Sequence, residues 1–375
     1  MATLAIDVAG SKLAGRRLDN MTPRERCVLR TIGTEPELID GTAYRNSNIV
    51  LFDGKSYIFS HRAILTLVTS AACNAACKFC SNEVTFTPSG PYLRVNDSLK
   101  RVKDFALVSG VTKVAFTGGE PTANPERLYQ LVAAIMPGFR RGRLHKNGFG
   151  LFKTVHTNDL GDVDLLPALI SAGLTGASVS VAHHDSVVNA VVMRFKGTWK
   201  GLDNDALRLI GSHRSKQFSP RLSCVLTHES VHDLEGMRRY IDWGLELGFR
   251  KFIFRSCSGI PEIYRRSTDY AVFNAANYIP IDPITKLIDS DGSFEQTFEQ
   301  HKSDSHVHVY RYLDSATVDI DESSEEADPD PKVRRLNVMP NGVAYTSWID
   351  PTSVLFDDDF PKTQSISLQN MTVRA

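Results

Sequence analysis

The most constraining feature of this chain is an alternation that begins near residue 61 and ends near residue 257. Short apolar runs alternate with longer stretches of helical apolar period. The runs 63–70, 112–119, 151–158, 176–182, 221–227 and 251–257 read as buried strands. The stretches 97–110, 124–136, 163–173, about 202–213 and 233–248 read as helices, with Asp97 as an N-cap and Gly110 as a stop. Six strand–helix repeats imply parallel pairing and right-handed crossovers. Two closures are open at this point: a doubly wound sheet, or a barrel short of the usual eight strands.

The flanks differ. "NIVLFDGKSYIF" (48–59) sets two apolar runs around Asp53–Gly54, a hairpin signal. After the repeats come a strand at 307–314 and a second hairpin at 335–348, turning at Asn341–Gly342. Between them lies "DIDESSEEADPDP" (319–331), acidic and with two prolines, expected to be a mobile loop, with a lid as the alternative. The expected division is an N-terminal extension at 1–60, an α/β core at 61–260 and a capping α+β region at 261–375.

Charge excludes some functions. Lys+Arg and Asp+Glu balance at 43 each, so the chain carries no net footprint for nucleic acid or an anionic membrane. The basic run 140–146 reads as a solvated loop. No apolar run approaches the ~18–20 residues of a membrane span, and no secretory leader is expected. Six cysteines, three of them clustered, are not a disulfide framework. A cytoplasmic protein with reduced thiols is expected.

The clustered cysteines are Cys73, Cys77 and Cys80, directly after the first strand of the repeat. In an α/β barrel that edge binds ligands. Structural zinc prefers four closed ligands, and no second Cys-x-x-Cys is present. A [4Fe–4S] cube needs one ligand for each of four irons, so three cysteines leave one iron open. After the second strand comes "TGGEP", Thr117–Pro121: Gly118 and Gly119 allow close backbone approach, and Glu120 can accept from an ammonium group.

Together these motifs resemble the radical S-adenosylmethionine (SAM) superfamily, which carries Cys-x-x-x-Cys-x-x-Cys after the first barrel strand and Gly-Gly-Glu-Pro after the second. The resemblance covers roughly residues 62–257 and implies an α/β fold with a partial (β/α)6 TIM-like barrel. It implies one [4Fe–4S] cluster on Cys73, Cys77 and Cys80, with SAM on the fourth iron. Phe79 would contact adenine, and Gly118, Gly119 and Glu120 would hold the SAM amino group. Thr157, Asn158 and Ser180 would lie near its carboxylate and ribose, by likeness to the subgroup of the molybdenum-cofactor GTP cyclase and the SPASM-type enzymes. The implied chemistry is reductive cleavage of SAM to a 5′-deoxyadenosyl radical that takes hydrogen from a substrate. A flavodoxin or ferredoxin would supply the electron.

The chain departs from that subgroup. No cysteine follows Cys257, and Thr346 and Ser347 follow Tyr345 where the SPASM hairpin commonly has a cysteine. One cluster is therefore expected, and a small-molecule substrate in natural-product synthesis rather than molybdopterin chemistry. A modified ribosomal peptide and a non-catalytic metal protein are the competing readings. Arg255 and Cys257 end the sixth strand and are the candidate catalytic residues. Arg255 would pair with a substrate carboxylate or phosphate. Cys257 is either a hydrogen-atom donor or a packed thiol. Cys224 reads as core. His183, His184 and Asp185 read as a solvated loop or as ligand contacts. Tyr345 and Trp348 read as substrate contacts or packing.

Overall fold

The computed structural model describes residues 37–39, 42–44, 47–52, 55–70, 72–80, 95, 97–109, 111, 113–135, 153–157, 164–198, 200–257, 269–300, 306–322, 333–347, 352–356 and 367–368. The turn at Asp53–Gly54, the stop at Gly110, the run 140–146, Asn158 and Trp348 lie outside them.

In chain order the elements are β1 (Glu37–Ile39), β2 (Thr42–Tyr44), β3 (Ser47–Phe52), β4 (Lys55–Ser70), α1 (Asp97–Val108), β5 (Lys113–Gly118), a 3-10 turn (Pro121–Ala123), α2 (Pro125–Ile135), β6 (Lys153–Thr157), α3 (Leu165–Ser171), β7 (Gly176–Ser180), α4 (Ser186–Met193) and α5 (Asn204–Ser212). There follow β8 (Ser219–Leu226), α6 (Leu234–Glu246), β9 (Lys251–Ser256), α7 (Asp269–Asn277), α8 (Ile281–Asp289), β10 (Phe294–Gln300), β11 (His306–Tyr312), β12 (Ala316–Glu322), β13 (Val333–Val338), β14 (Ala344–Tyr345), β15 (Val354–Phe356) and β16 (Ser367–Leu368).

The six expected strands β4 to β9 run parallel in that order, as an open, partial TIM-like barrel. Two more parallel strands extend it from the C-terminal region. β12 pairs β9, and β13 pairs the other edge at β4. The parallel run therefore has eight strands, but β12 and β13 are not neighbours.

Two expectations change, and one element is added. The acidic stretch 319–331 does not begin as a loop: Asp319 to Glu322 belong to β12. Its Val318/Ile320 and Asp319/Asp321 alternation has the period of a half-buried strand. The run 63–70 is not separate from the preceding hairpin. β4 is one strand of sixteen residues, its first half paired with β3 and its second half held between β13 and β5. Residues 186–193, to which the sequence reading gives no element, form helix α4. Asp185 caps it, accepting from the Val187 and Val188 N–H groups at 2.8 and 3.2 Å.

The strands have two unlike faces. Leu65 and Leu67, Val114 and Phe116, Leu222 and Cys224, Phe252 and Phe254, and Val318 and Ile320 all join one apolar core with the helices. On α2, Leu128, Leu131, Val132 and Ile135 supply the matching stripe. Burial of each such side chain is worth about 1.5–3 kcal/mol. The alternate residues face the barrel interior. There the row is largely polar: Thr66 on β4, Thr117 on β5, Ser178 and Ser180 on β7, Arg221 and Ser223 on β8. An ordinary closed barrel fills this space with branched apolar side chains.

Candidate active site

The cysteine loop follows β4 at the C-terminal edge of the parallel strands. Backbone hydrogen bonds hold it to the end of helix α4 and the segment after it, and side-chain contacts add to them. Ala76 and Lys78 N–H donate to the carbonyls of Arg194 and Val192 at 3.0 and 3.1 Å, and Lys196 N–H donates to Asn74 at 2.8 Å. Ala75 and Phe195 form an antiparallel bridge. Helix α4, missed in the sequence, thereby supports the site, because it delivers residues 192–196 to the loop. Phe79 and Cys77 pack on a small apolar cluster of Ala182, Val192 and Met193, with Cys77 Sγ 3.6 Å from Met193 Sδ. Lys78 pairs with Glu229 and lies over the Phe273 ring of α7.

The Gly-Gly-Glu turn is stitched to the start of the same loop. Gly119 N–H donates to Ser70 at 2.8 Å and Glu120 N–H to Ala72 at 2.7 Å. Gly118 has φ +141°, and a Cβ there would lie 2.2 Å from the Ser70 carbonyl oxygen. This glycine is needed where two strand ends meet, whatever ligand lies beyond. Glu120 is 1 % exposed. Its Oε1 accepts from Thr122 N–H at 3.0 Å and from Thr122 Oγ1 at 2.8 Å, which caps the 3-10 turn.

Cys73, Cys77 and Cys80 are half-buried thiols, not disulfides. Burial pushes the Cys77 thiol well above its ordinary value, and the neighbouring Cys80 and Cys73 add to this. A cationic cluster would reverse both effects. Among the described residues no three His, Cys, Asp or Glu side chains converge as ligands of a single ion. Thiolates on three corners of a cube each take a different iron, and so do not share one ion's coordination sphere. The donor set fits that group.

The remaining candidates are spread along the same edge. Ser180 ends β7, half-buried on the inward row. Thr157 ends β6, in register with Val179. Cys257 follows β9, 3 % exposed, its Sγ 3.8 Å from the Leu226 carbonyl it donates to; burial pushes it up to about 12. Cys224 is core: its thiol donates to the Ala182 carbonyl at 3.3 Å. His183 and His184 stack at 4.2 Å, and burial holds both below the ordinary imidazole value. Tyr345 packs on Val68 and Met339.

Arg255 has a protein partner. Its Nε donates to Asp321 Oδ2 at 3.3 Å, across the β9–β12 register. Below it Arg221 donates from Nε to Ser178 Oγ at 3.0 Å. Burial, then Arg255, lowers Arg221 to about 10, yet the residue keeps part of its accessible surface. Burial likewise lowers Lys251 and raises Asp319. Apart from Arg255, these interior charges, and Asn337 on β13, were not singled out from sequence. The signal was there in the alternation of "TVDIDE" (317–322) and "RLNV" (335–338).

Comparison with known proteins agrees with the two motifs. Residues 67–241 match the model of the radical SAM superfamily. Molybdenum cofactor biosynthesis protein 1 of Bos taurus is 28% identical over 176 residues, 44% of this chain and 24% of that protein. The GTP 3′,8-cyclase of Synechococcus elongatus is 30% identical over 141 residues, 37% of this chain and 38% of the cyclase. The chain thus spans well under half the length of either relative. Among solved structures, Streptococcus suis SuiB bound to S-adenosylmethionine overlays with a TM-score of 0.47 at 15% identity, covering 78% of this chain and 61% of that one. AnSMEcpe with bound AdoMet gives 0.47 at 16% identity, covering 79% and 77%. The sequence match places a radical SAM domain in this chain over residues 67–241.

Proposed function

We propose that the chain is a radical SAM enzyme acting on a small polar molecule held inside the barrel. One observation carries this reading: the cysteine loop and the Gly-Gly-Glu turn are hydrogen-bonded to each other at one strand edge, through Gly119 to Ser70 and Glu120 to Ala72. In this reading Cys73, Cys77 and Cys80 hold the [4Fe–4S] cluster, and Gly118, Gly119 and Glu120 hold the SAM ammonium group. Phe79, Thr157, Asn158 and Ser180 complete the SAM pocket. The cluster with SAM supplies an oxidising carbon radical when both are bound.

The chain's own residues then orient the substrate and exclude water. Cys257, buried just after β9, would return a hydrogen atom to a substrate radical if the reaction is an epimerisation, and the thiyl left behind would be restored by one electron from the external donor and a proton. An electron donor of the flavodoxin or ferredoxin type is part of the proposal. The test is anaerobic reconstitution with iron and sulfide, then SAM and dithionite. About four irons per chain and formation of 5′-deoxyadenosine are expected. Zinc uptake with no SAM cleavage overturns the reading. For an epimerisation, Cys257→Ala stalls turnover and stops solvent deuterium entering the product; unchanged incorporation removes Cys257 from the chemistry. GTP, the substrate that the relatives' name suggests, is tested in the same assay.

A further inference from the structure

Helix α4 is a wall one helix thick between the cysteine loop and solvent. On its inner side Val188, Val192, Met193 and Phe195 share one apolar cluster with Cys77 and Phe79. On its outer side Val187 and Val191, one turn apart, are 71 % and 55 % exposed. Two neighbouring valines on one solvent face form a stripe, not a scattered exposure.

The chain turns basic where the helix ends. Arg194, Lys196 and Lys200 are exposed, and residues 186–202 contain no Asp or Glu. The three cationic side chains make no hydrogen bond or ion pair among the described residues. Backbone contacts place them beside the cysteine loop. Ala75 bridges Phe195, Ala76 N–H donates to the Arg194 carbonyl at 3.0 Å, and Lys196 N–H donates to the Asn74 carbonyl at 2.8 Å. Backbones paired in this way lie about 5 Å apart. Gly201 closes on the Phe195 ring, where a Cβ would stand 2.6 Å away, and this keeps Lys200 next to the same segment. Arg194 has φ +50°, a left-handed position that glycine takes at lower cost, so the charge stands there in spite of the backbone. The nearby carboxylates are engaged: Asp185 and Asp203 cap α4 and α5, Asp205 pairs with Arg208, and Glu229 pairs with Lys78. An apolar stripe with a cationic rim complements an acidic protein. One helix, about 10 Å across, separates it from the Cys77 thiol.

We propose that Val187, Val191, Arg194, Lys196 and Lys200 form the docking surface for an acidic electron-transfer protein of the flavodoxin or ferredoxin kind. The inference rests on the radical SAM reading and names the place where its reductant sits. The step passes one electron from the reduced carrier to the cluster held by Cys73, Cys77 and Cys80, with no bond made or broken. The contact is small and led by charge, so it is weak and sensitive to salt.

The experiment titrates the anaerobically reconstituted protein by calorimetry with an acidic flavodoxin, an acidic ferredoxin and a single-stranded oligonucleotide. In parallel it times 5′-deoxyadenosine formation with the reduced carrier or with dithionite as electron source. At least one carrier is expected to bind, and raising sodium chloride from ~0.05 to ~0.5 M weakens it about tenfold or more. Arg194→Gln/Lys196→Gln weakens the carrier about tenfold or more and slows carrier-driven SAM cleavage, while iron content and the dithionite-driven rate hold. Lys196→Gln/Lys200→Gln, which leaves Arg194 at the helix end, does the same and decides the matter if the first variant loses iron. Val187→Ser/Val191→Ser weakens the carrier and leaves its salt dependence as it was. Arg214→Gln/Lys216→Gln, exposed before β8 at the opposite edge of the strands, changes nothing. Binding of neither carrier, salt-independent binding, unchanged binding in any of the three variants at α4, equal loss in the Arg214/Lys216 variant, or preference for the oligonucleotide overturns the inference. A protein that cleaves SAM with dithionite but fails these tests loses only the docking surface. A protein that never cleaves SAM removes the radical SAM reading.

Discussion

Gly118 and Ser70 touch where β5 parts from β4: a Cβ on Gly118 would stand 2.2 Å from the Ser70 carbonyl oxygen. The contact is backbone on backbone, so no side chain can turn aside. The φ of +141° adds a second cost for any L-residue. Gly118→Ala is expected to lose about 2–4 kcal/mol, read as a lower urea midpoint. SAM affinity by calorimetry should fall with it, because Gly119 and Glu120 follow directly. An unchanged midpoint would show that the two strand ends can move apart.

The thiols divide by face. Cys77 lies in the loop and Cys224 faces the helices in the apolar core. Reconstituted Cys77→Ser should hold less than one iron per chain, against about four in the parent. Cys224→Ala should keep the full complement. Iron and sulfide assays decide it, without any activity measurement.

His183 and His184 give stability a pH dependence. Burial lowers both imidazoles, with Arg239 adding to it and Asp185 opposing. The folded state therefore favours the neutral rings. Below an ordinary value of about 6.5 the unfolded chain takes up protons that the folded chain resists, so stability falls as pH drops through that range. Urea unfolding at pH 7.5 and 5.5 should show the loss. A His183→Gln/His184→Gln variant should lose less over the same interval.

Asn337 and Thr66 sit side by side without partners in the barrel wall. Apolar replacements of similar size, Asn337→Leu and Thr66→Val, relieve that cost. The thermal midpoint should rise, by the equivalent of about 1–3 kcal/mol for Asn337→Leu. A lowered midpoint would mean that the amide is satisfied in solution.

Much of this was readable from residues. The strand–helix alternation, both hairpins and the two motifs depend on local periodicity and turn chemistry, which a sequence displays directly. What was hidden depends on neighbours. The run "SVVNAVVM" of α4 is apolar and β-branched, so its period is weak, and only the Asp185 cap marks it as helix. Asp319 and Asp321 read as solvent-loving because two prolines and many carboxylates follow them. Their inward placement comes from pairing with β9, which lies more than sixty residues earlier in the chain. Gly118 was expected to serve a ligand, and its first duty proves to be to Ser70.

The two edges of the six-strand run are both completed from the C-terminal region, β9 by β12 and β4 by β13. The second half of β4, which leads directly into the cysteine loop, has β13 on one side and β5 on the other. Loss of β13 would leave that half of β4 an edge strand with unpaired N–H and C=O groups. The far C-terminal third of the chain is thereby tied to the strand that presents the cysteines.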